Sequence, residues 1–347
     1  MSKREIAVIG DKFMKASAFT DALSKIADVD ARVRTFELPW PDEPMRHGYL
    51  DGGLPGLREY LGDPDQIVGF VDGAEILINH LAPITDAMLD RLPALRLIAV
   101  SRGGPVNIDV AACKARNVQL VNTPGRNASA VAEFTIGAIL AETRLIRAGH
   151  EALRQGVWRG ELYRFDMIDA ELSEMTVGII GYGNIGTRVV KLLKPFGCRI
   201  LVSDPYKDLS QNDRADGVRL VDLETLLADS DIVSLHARVS EETQGFLAAP
   251  QFARMKQGSY FINTARGPMV DYDDLYLALT SRHLRGAMLE TFWLEPPPPD
   301  APLLKLDCVT LTPHIAGAST TTVRIAARMI AEEIRRYAAG EPPLNPC

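Results

Sequence analysis

Short apolar runs alternate with helical patterns twice along this chain, the arrangement expected of parallel βαβ units. The first series is EIAVIG, ARVRTFE, EILIN, LRLIAV and VQLVN, with helical patterns at Ala16–Ala27 and Asn107–Ala115. Pro39–Gly73 breaks the rhythm. It is rich in Pro, Gly and Asp and reads as a long excursion with one short helix near Leu57–Leu61. A long helix is expected from Ala128 to Ile146, capped by Asn127 or Ser129, with Glu133 suited to the dipole of its first turn. Val131, Ala132, Phe134, Ile136, Gly137, Ala138, Ile139 and Leu140 make it apolar or small nearly all round. Such a helix is expected to be buried, inside its domain or against a second subunit. The second series runs TVGIIGYGNIG, CRILVSD, a short GVRLV, DIVSLH, SYFINTARG, LRGAMLE and VTLTPH. Last comes an amphipathic helix, Thr320–Ala339, with Val323, Ala326, Ala327, Ile330 and Ile334 on one stripe. It follows a completed second sheet, so it is expected to return to the first domain.

Composition narrows the class. A chain of 347 residues has room for two domains. Its net charge of −7, with no long basic run, argues against nucleic acid or an anionic membrane as partner. MSKREIAVIG lacks the apolar stretch and cleavage site of a signal peptide, and no apolar segment is long enough to span a bilayer. Cys113, Cys198, Cys308 and Cys347 are scattered without metal-ligand spacing, as expected of thiols in a reducing cytoplasm.

Open parallel sheets bind ligands outside the carboxyl ends of their strands. The second series delivers chemistry there at nearly every strand: Gly181, Gly183 and Gly186, then Asp204, His236, Arg266, Glu290 and His314. GIIGYGNIG fits the dinucleotide fingerprint GxGxxG, with a strand before it and the expected helix Ile185–Phe196 after it. The first glycine allows a tight turn, the second a close backbone approach to pyrophosphate, and the third helix–strand packing. The helix start offers N–H groups to phosphate. Asp204, ending the next strand, suits the adenine-ribose hydroxyls and opposes a 2′-phosphate. NAD is therefore expected over NADP.

Taken together, TVGIIGYGNIG, DIVSLHARVSEETQGF, FINTARGPMVD, the Glu of FWLEP and LTPHIAG resemble the NAD-dependent D-2-hydroxyacid dehydrogenases, the phosphoglycerate dehydrogenase-like group, from about Ala74 to Thr321. The resemblance implies an α/β fold of two Rossmann-like doubly wound parallel-sheet domains with an interdomain cleft. Residues 1–122 plus 318–347 would form a flavodoxin-like substrate domain, and 123–317 the NAD-binding Rossmann domain. It implies reversible hydride transfer between NAD(H) and C2 of a small D-2-hydroxy or 2-oxo acid, with hinge closure excluding water. His314 would be the acid/base, Glu295 its tuning partner, and Arg266 the group that orients the substrate. Cofactor contacts are implied at Gly181, Gly183, Asn184, Ile185, Gly186, Asp204, His236, Ala265, Glu290 and Gly317. His236 is equally well read as structural, and Glu290 stands where the family has Asp, reaching toward the nicotinamide amide. A homodimer is implied, and no metal.

The chain departs from the family in one loop. Ser101-Arg102-Gly103-Gly104-Pro105-Val106-Asn107-Ile108-Asp109 is shorter than the family's carboxylate-binding loop, and Pro105 removes an N–H donor. His80, Arg102, Gly103 and Gly104 are the expected substrate contacts on this side. Arg46, His47 and Arg58 of the excursion, the loop Trp158–Asp166 with Arg159, Tyr163 and Arg164, and Trp293 are further specificity candidates, for each of which ordinary packing is the competing reading. Runner-up functions are a dehydrogenase for a phosphorylated or sugar acid and an NAD-sensing scaffold. Formate oxidation is disfavoured because it has no alcohol proton for a Glu–His pair to manage.

Overall fold

The computed structural model describes residues 3–26, 29–40 and 53–347. Arg46 and His47 lie outside them. The chain forms two compact units, Met1–Asn127 with Ala318–Cys347, and Ala128–Gly317.

In the first unit β1 (Arg4–Gly10), β2 (Ala31–Glu37), β3 (Ile76–Asn79), β4 (Leu97–Val100) and β5 (Gln119–Val121) form one parallel sheet, ordered β2-β1-β3-β4-β5. This is the flavodoxin-like order, with its switch point between β1 and β3. Successive strand residues face opposite sides, so both faces must be covered. Ile76 and Ile78 pack with Phe19, Ala326 and Ile330, while Leu77 between them packs with Ile67, Val71 and Ile98. The apolar stripe of helix Thr320–Ala339 lies against helix Ala16–Leu23, which places this C-terminal segment in the first unit.

No helix forms at Leu57–Leu61. Glu59 and Gly62 take positive φ values of 49° and 101°, which a right-handed helix cannot accommodate. The helix of the excursion is Pro64–Val71 instead: Asp63 accepts the Gln66 N–H and Pro64 opens the first turn.

In the second unit β6 (Thr176–Ile180), β7 (Arg199–Ser203), β8 (Arg219–Leu220), β9 (Ile232–Leu235), β10 (Ser259–Asn263), β11 (Leu284–Leu289) and β12 (Val309–Leu311) are again all parallel. Their order, β12-β11-β10-β9-β6-β7-β8, puts the switch point between β6 and β9. The long apolar helix is shorter than its pattern suggests. It ends at Thr143, Leu145 turns left-handed at φ 56°, and a second helix runs Ile146–Arg154. Val131, Ala132, Ala138 and Ile139 are buried within the unit, with Phe134, Ile136 and Leu140 half-buried beside them. Among the described residues no helix is long and apolar enough to cross a membrane.

Candidate active site

The switch point of the second unit carries the glycine loop. Gly181 has φ 96°, and a Cβ there would sit 2.7 Å from the Ala237 nitrogen; one at Gly186 would sit 2.0 Å from the Gly181 oxygen. Both positions require glycine. Gly183 has nothing within 4 Å of its Cβ position, so this side of the loop is open to backbone approach by a phosphate. Helix Gly186–Leu193 begins at the same place and aims its N–H groups there. Ile185 packs half-buried into the core, and the Asn184 carbonyl accepts a bond from Arg188 Nη1 at 2.6 Å.

Asp204, just past β7, accepts the Tyr182 N–H at 2.7 Å and the Tyr206 N–H at 2.8 Å. The first bond fastens it to the glycine loop, and a carboxylate retains further lone pairs for hydroxyl donors. The Tyr206 hydroxyl, at the far end of its side chain, donates to Glu242. His236 donates its N–H to the Ile180 oxygen at 2.7 Å, and its buried ring has Nε2 2.8 Å from Ser234 Oγ. Burial pushes this ring down to about 3, so it is neutral. Its Nδ1 has no partner among the described residues.

His314 lies three residues past β12 in a left-handed conformation, φ 54°. Its Nδ1 is 2.8 Å from Glu295 Oε2, and the other Glu295 oxygen accepts the Phe292 N–H at 2.9 Å. Glu295 is buried, so the imidazole faces a fixed carboxylate. Glu290, directly after β11, is buried. Its two oxygens accept the Thr312 hydroxyl and the Ala316 N–H, and its carbonyl accepts the His314 N–H at 3.1 Å. Burial raises its pKa against those hydrogen bonds. Glu290 thus grips the loop on both sides of His314 and holds an uncommon backbone conformation in place.

Arg266 follows β10 on extended backbone, with its side chain exposed and Nη1 on the Ala265 carbonyl at 2.7 Å. Among the described residues no carboxylate pairs with it. A Cβ at Gly267 would lie 1.7 Å from the Phe292 oxygen, so the loop carrying Arg266 touches the loop carrying Glu295. Asn263 Oδ1 accepts the Ala265 N–H at 3.0 Å, and Tyr272 bonds the Thr291 carbonyl at 2.6 Å while its ring lies 4.9 Å from Trp293. Trp293 therefore packs on Tyr272. Gly267, Asn263 and Tyr272 escaped the sequence reading, although a glycine directly after a functional Arg does signal a close backbone approach. Ala265 is buried behind this loop, and Gly317 closes the segment after Ala316.

In the first unit His80 Nδ1 lies 2.5 Å from Oδ2 of the fully buried Asp11, whose Oδ1 accepts the Phe13 and Met14 N–H groups at 2.8 Å each. Arg102 forms an ion pair with Glu59. Gly103 and Gly104 have open space at their Cβ positions, and their N–H groups have no partner among the described residues. Among those residues no group of three or more His, Cys, Asp or Glu side chains is placed to hold a metal ion.

The chain is similar to known proteins. Residues 136–316 match the family described as D-isomer specific 2-hydroxyacid dehydrogenase, NAD binding domain. The chain is 37% identical to a glyoxylate reductase of Korarchaeum cryptofilum, over 80% of this chain and 84% of that one. It is 33% identical to a glycerate dehydrogenase of Methylorubrum extorquens, over 90% and 94%. Among solved structures, the TT0316 protein of Thermus thermophilus superposes with a TM-score of 0.77 at 28% identity, over 98% and 99% of the two chains. A glycine loop that fits a nicotinamide dinucleotide and a family match spanning the unit that carries it lead to one conclusion: the chain belongs to the D-isomer specific 2-hydroxyacid dehydrogenases, oxidoreductases that act on a CH–OH group.

Proposed function

We propose that this enzyme interconverts a small D-2-hydroxy acid and its 2-oxo acid with NAD(H), using His314 as acid/base. The observation that carries the proposal is the 2.8 Å contact between His314 Nδ1 and the buried Glu295. With Nδ1 engaged, Nε2 is the ring nitrogen for proton exchange with substrate oxygen. In reduction the bound nicotinamide supplies hydride to the carbonyl carbon. His314 as imidazolium gives its proton to the oxygen as the C=O π bond becomes C–O, and the neutral ring takes that proton back in oxidation. Glu295 fixes the ring plane and stabilises the imidazolium. Arg266 orients the acid and stabilises the developing alkoxide with its planar fork of donors. The Gly103 and Gly104 N–H groups suit a carboxylate.

Asp204 favours NAD over NADP, since a 2′-phosphate there would meet a like charge. A homodimer belongs to the same proposal, supported by the apolar side chains exposed on 146–168. So does a cytoplasmic setting, in keeping with four free thiols. Glyoxylate and hydroxypyruvate are the first acids to try, because the relatives are named for glyoxylate and glycerate.

The test follows NADH absorbance against glyoxylate, hydroxypyruvate, pyruvate and phosphohydroxypyruvate. The expected result is turnover with an unphosphorylated acid, and a His314→Ala enzyme slower in kcat by about 100-fold or more. Tight NADH binding without turnover of any acid would sink the proposal, and so would a His314→Ala enzyme near wild-type rate.

A further inference from the structure

A second carboxylate–imidazole pair stands at the carboxyl ends of the first unit's strands, outside the chemistry assigned to His314. The switch point of this sheet lies between β1 and β3, the place where open parallel sheets bind ligands. Asp11 directly follows β1, His80 directly follows β3, and their side chains meet there at 2.5 Å. Ser101, directly after β4, adds a buried hydroxyl with no partner among the described residues.

Arg126 completes this group. It follows β5 on a turn fastened to the SRGG loop: the Thr123 N–H bonds the Arg102 carbonyl at 2.8 Å, and Asn122 Nδ2 bonds the Gly103 carbonyl at 3.0 Å. Arg126 Nε is sealed from solvent with no hydrogen-bond partner among the described residues, and no ion pair there includes this side chain. Burial brings its pKa down to about 10, against the opposing charge of Asp11. Asp11 is already occupied by His80 and the Phe13 and Met14 N–H groups.

Arg126 is half-buried as a whole, and a guanidinium partly desolvated without a partner lowers stability, so an anion that joined it would recover that loss. A carboxylate matches the fork of donors. The neighbouring loop has lost an N–H at Pro105, and Arg102 is engaged by Glu59. Arg126 is the cation of this cluster that carries no ion pair.

We propose that Arg126 is a specificity-determining residue that takes a carboxylate of the substrate at the first unit's switch point, flanked by His80 on its Asp11 support. This rests on the dehydrogenase function proposed above. Two carboxylates qualify: the one beside the reacting carbon, or a second at the far end of a 2-oxo diacid.

The experiment compares full-length wild type with Arg126→Met and Arg126→Lys in two ways. Thermal unfolding with and without oxalate reports anion binding without any turnover. KM and kcat with glyoxylate and oxaloacetate at saturating NADH report use of the site. Arg126→Met is expected to hold or raise the melting temperature, because it removes an unpaired charge, and to lose the upward shift that oxalate gives wild type. Its KM is expected to rise by about tenfold or more with kcat changed less, and Arg126→Lys to recover part of the loss. A rise shared by both acids assigns the carboxylate beside the carbonyl, and a rise for oxaloacetate alone assigns the far one. An unchanged oxalate shift with unchanged KM overturns the proposal. So does a fall in melting temperature with oxalate binding intact, the mark of a structural arginine. Absence of turnover by wild type would count against the dehydrogenase reading alone, since the oxalate measurement still decides Arg126.

Discussion

His236 and His314 both follow strands of one sheet, yet their surroundings differ. His314 has a buried carboxylate 2.8 Å from Nδ1, whereas His236 has a serine hydroxyl and a buried Nδ1 with no partner among the described residues. The difference predicts a pH effect on stability. The unfolded chain protonates His236 near its ordinary value of 6.5, while the folded ring resists protonation down to about 3. Between those values the unfolded state binds the extra proton, so stability falls as pH falls. His236→Asn is expected to flatten that slope, by an amount on the order of a few kcal/mol across the window. Denaturant unfolding at pH 7, 5 and 4 measures it, and parallel curves for variant and wild type would refute the assignment. Both residues are legible in the sequence as strand-end histidines. Local pattern does not say which one meets a carboxylate; the family resemblance names Glu295 as the partner of His314, and the folded loops bring the two together.

Between elements, the site depends on loops that support one another. Glu290 holds the 312–316 segment from the end of β11, and Gly267 lets the end of β10 press onto Phe292. A side chain at Gly267 has no room, with the Phe292 oxygen 1.7 Å from its Cβ position. Gly267→Ala is therefore expected to displace either Arg266 or the Glu295 loop, costing about 1–3 kcal/mol of stability and most of kcat. Thermal unfolding and steady-state rates measure both, and a variant unchanged in either would show that the contact is not tight. Short continuous apolar runs, as expected of parallel strands covered on both faces, made the strands readable, and the 3.6-residue stripe did the same for Thr320–Ala339. The excursion helix was misplaced because its local signal, Asp63 before Pro64, is a cap rather than a periodicity. The bonds that Glu290 makes to Thr312 and Ala316 were hidden for a related reason. A strand-end carboxylate reads as available for a ligand until the backbone that folds over it is known.

For the whole molecule, the segment after the long helix stands out. Trp158, Tyr163 and Phe165 are 84%, 91% and 93% exposed, and Ile146 and Leu153 join them on the surface. Exposed large apolar side chains that recur along 146–168 are the mark of an interaction segment. With a second copy of the chain as the proposed partner, light scattering should give twice the monomer mass for wild type. Tyr163→Ser with Phe165→Ser should shift the population to monomer, with the fold retained by circular dichroism. A monomeric wild type would remove this element of the proposal.

The sequence by itself determined the two parallel sheets, the glycine loop, and the residue types Arg, Glu and His that the chemistry needs. These are properties of local pattern: short apolar runs, glycine spacing, and polar residues at strand ends. Only the tertiary structure decided which side chains are engaged and which are open. It paired Asp11 with His80 and Arg102 with Glu59, turned Glu290 inward, and left Arg126 without a partner among the described residues. The physical reason is that a charged group's role depends on its neighbours and its distance from water, and both are fixed by segments far apart in the chain.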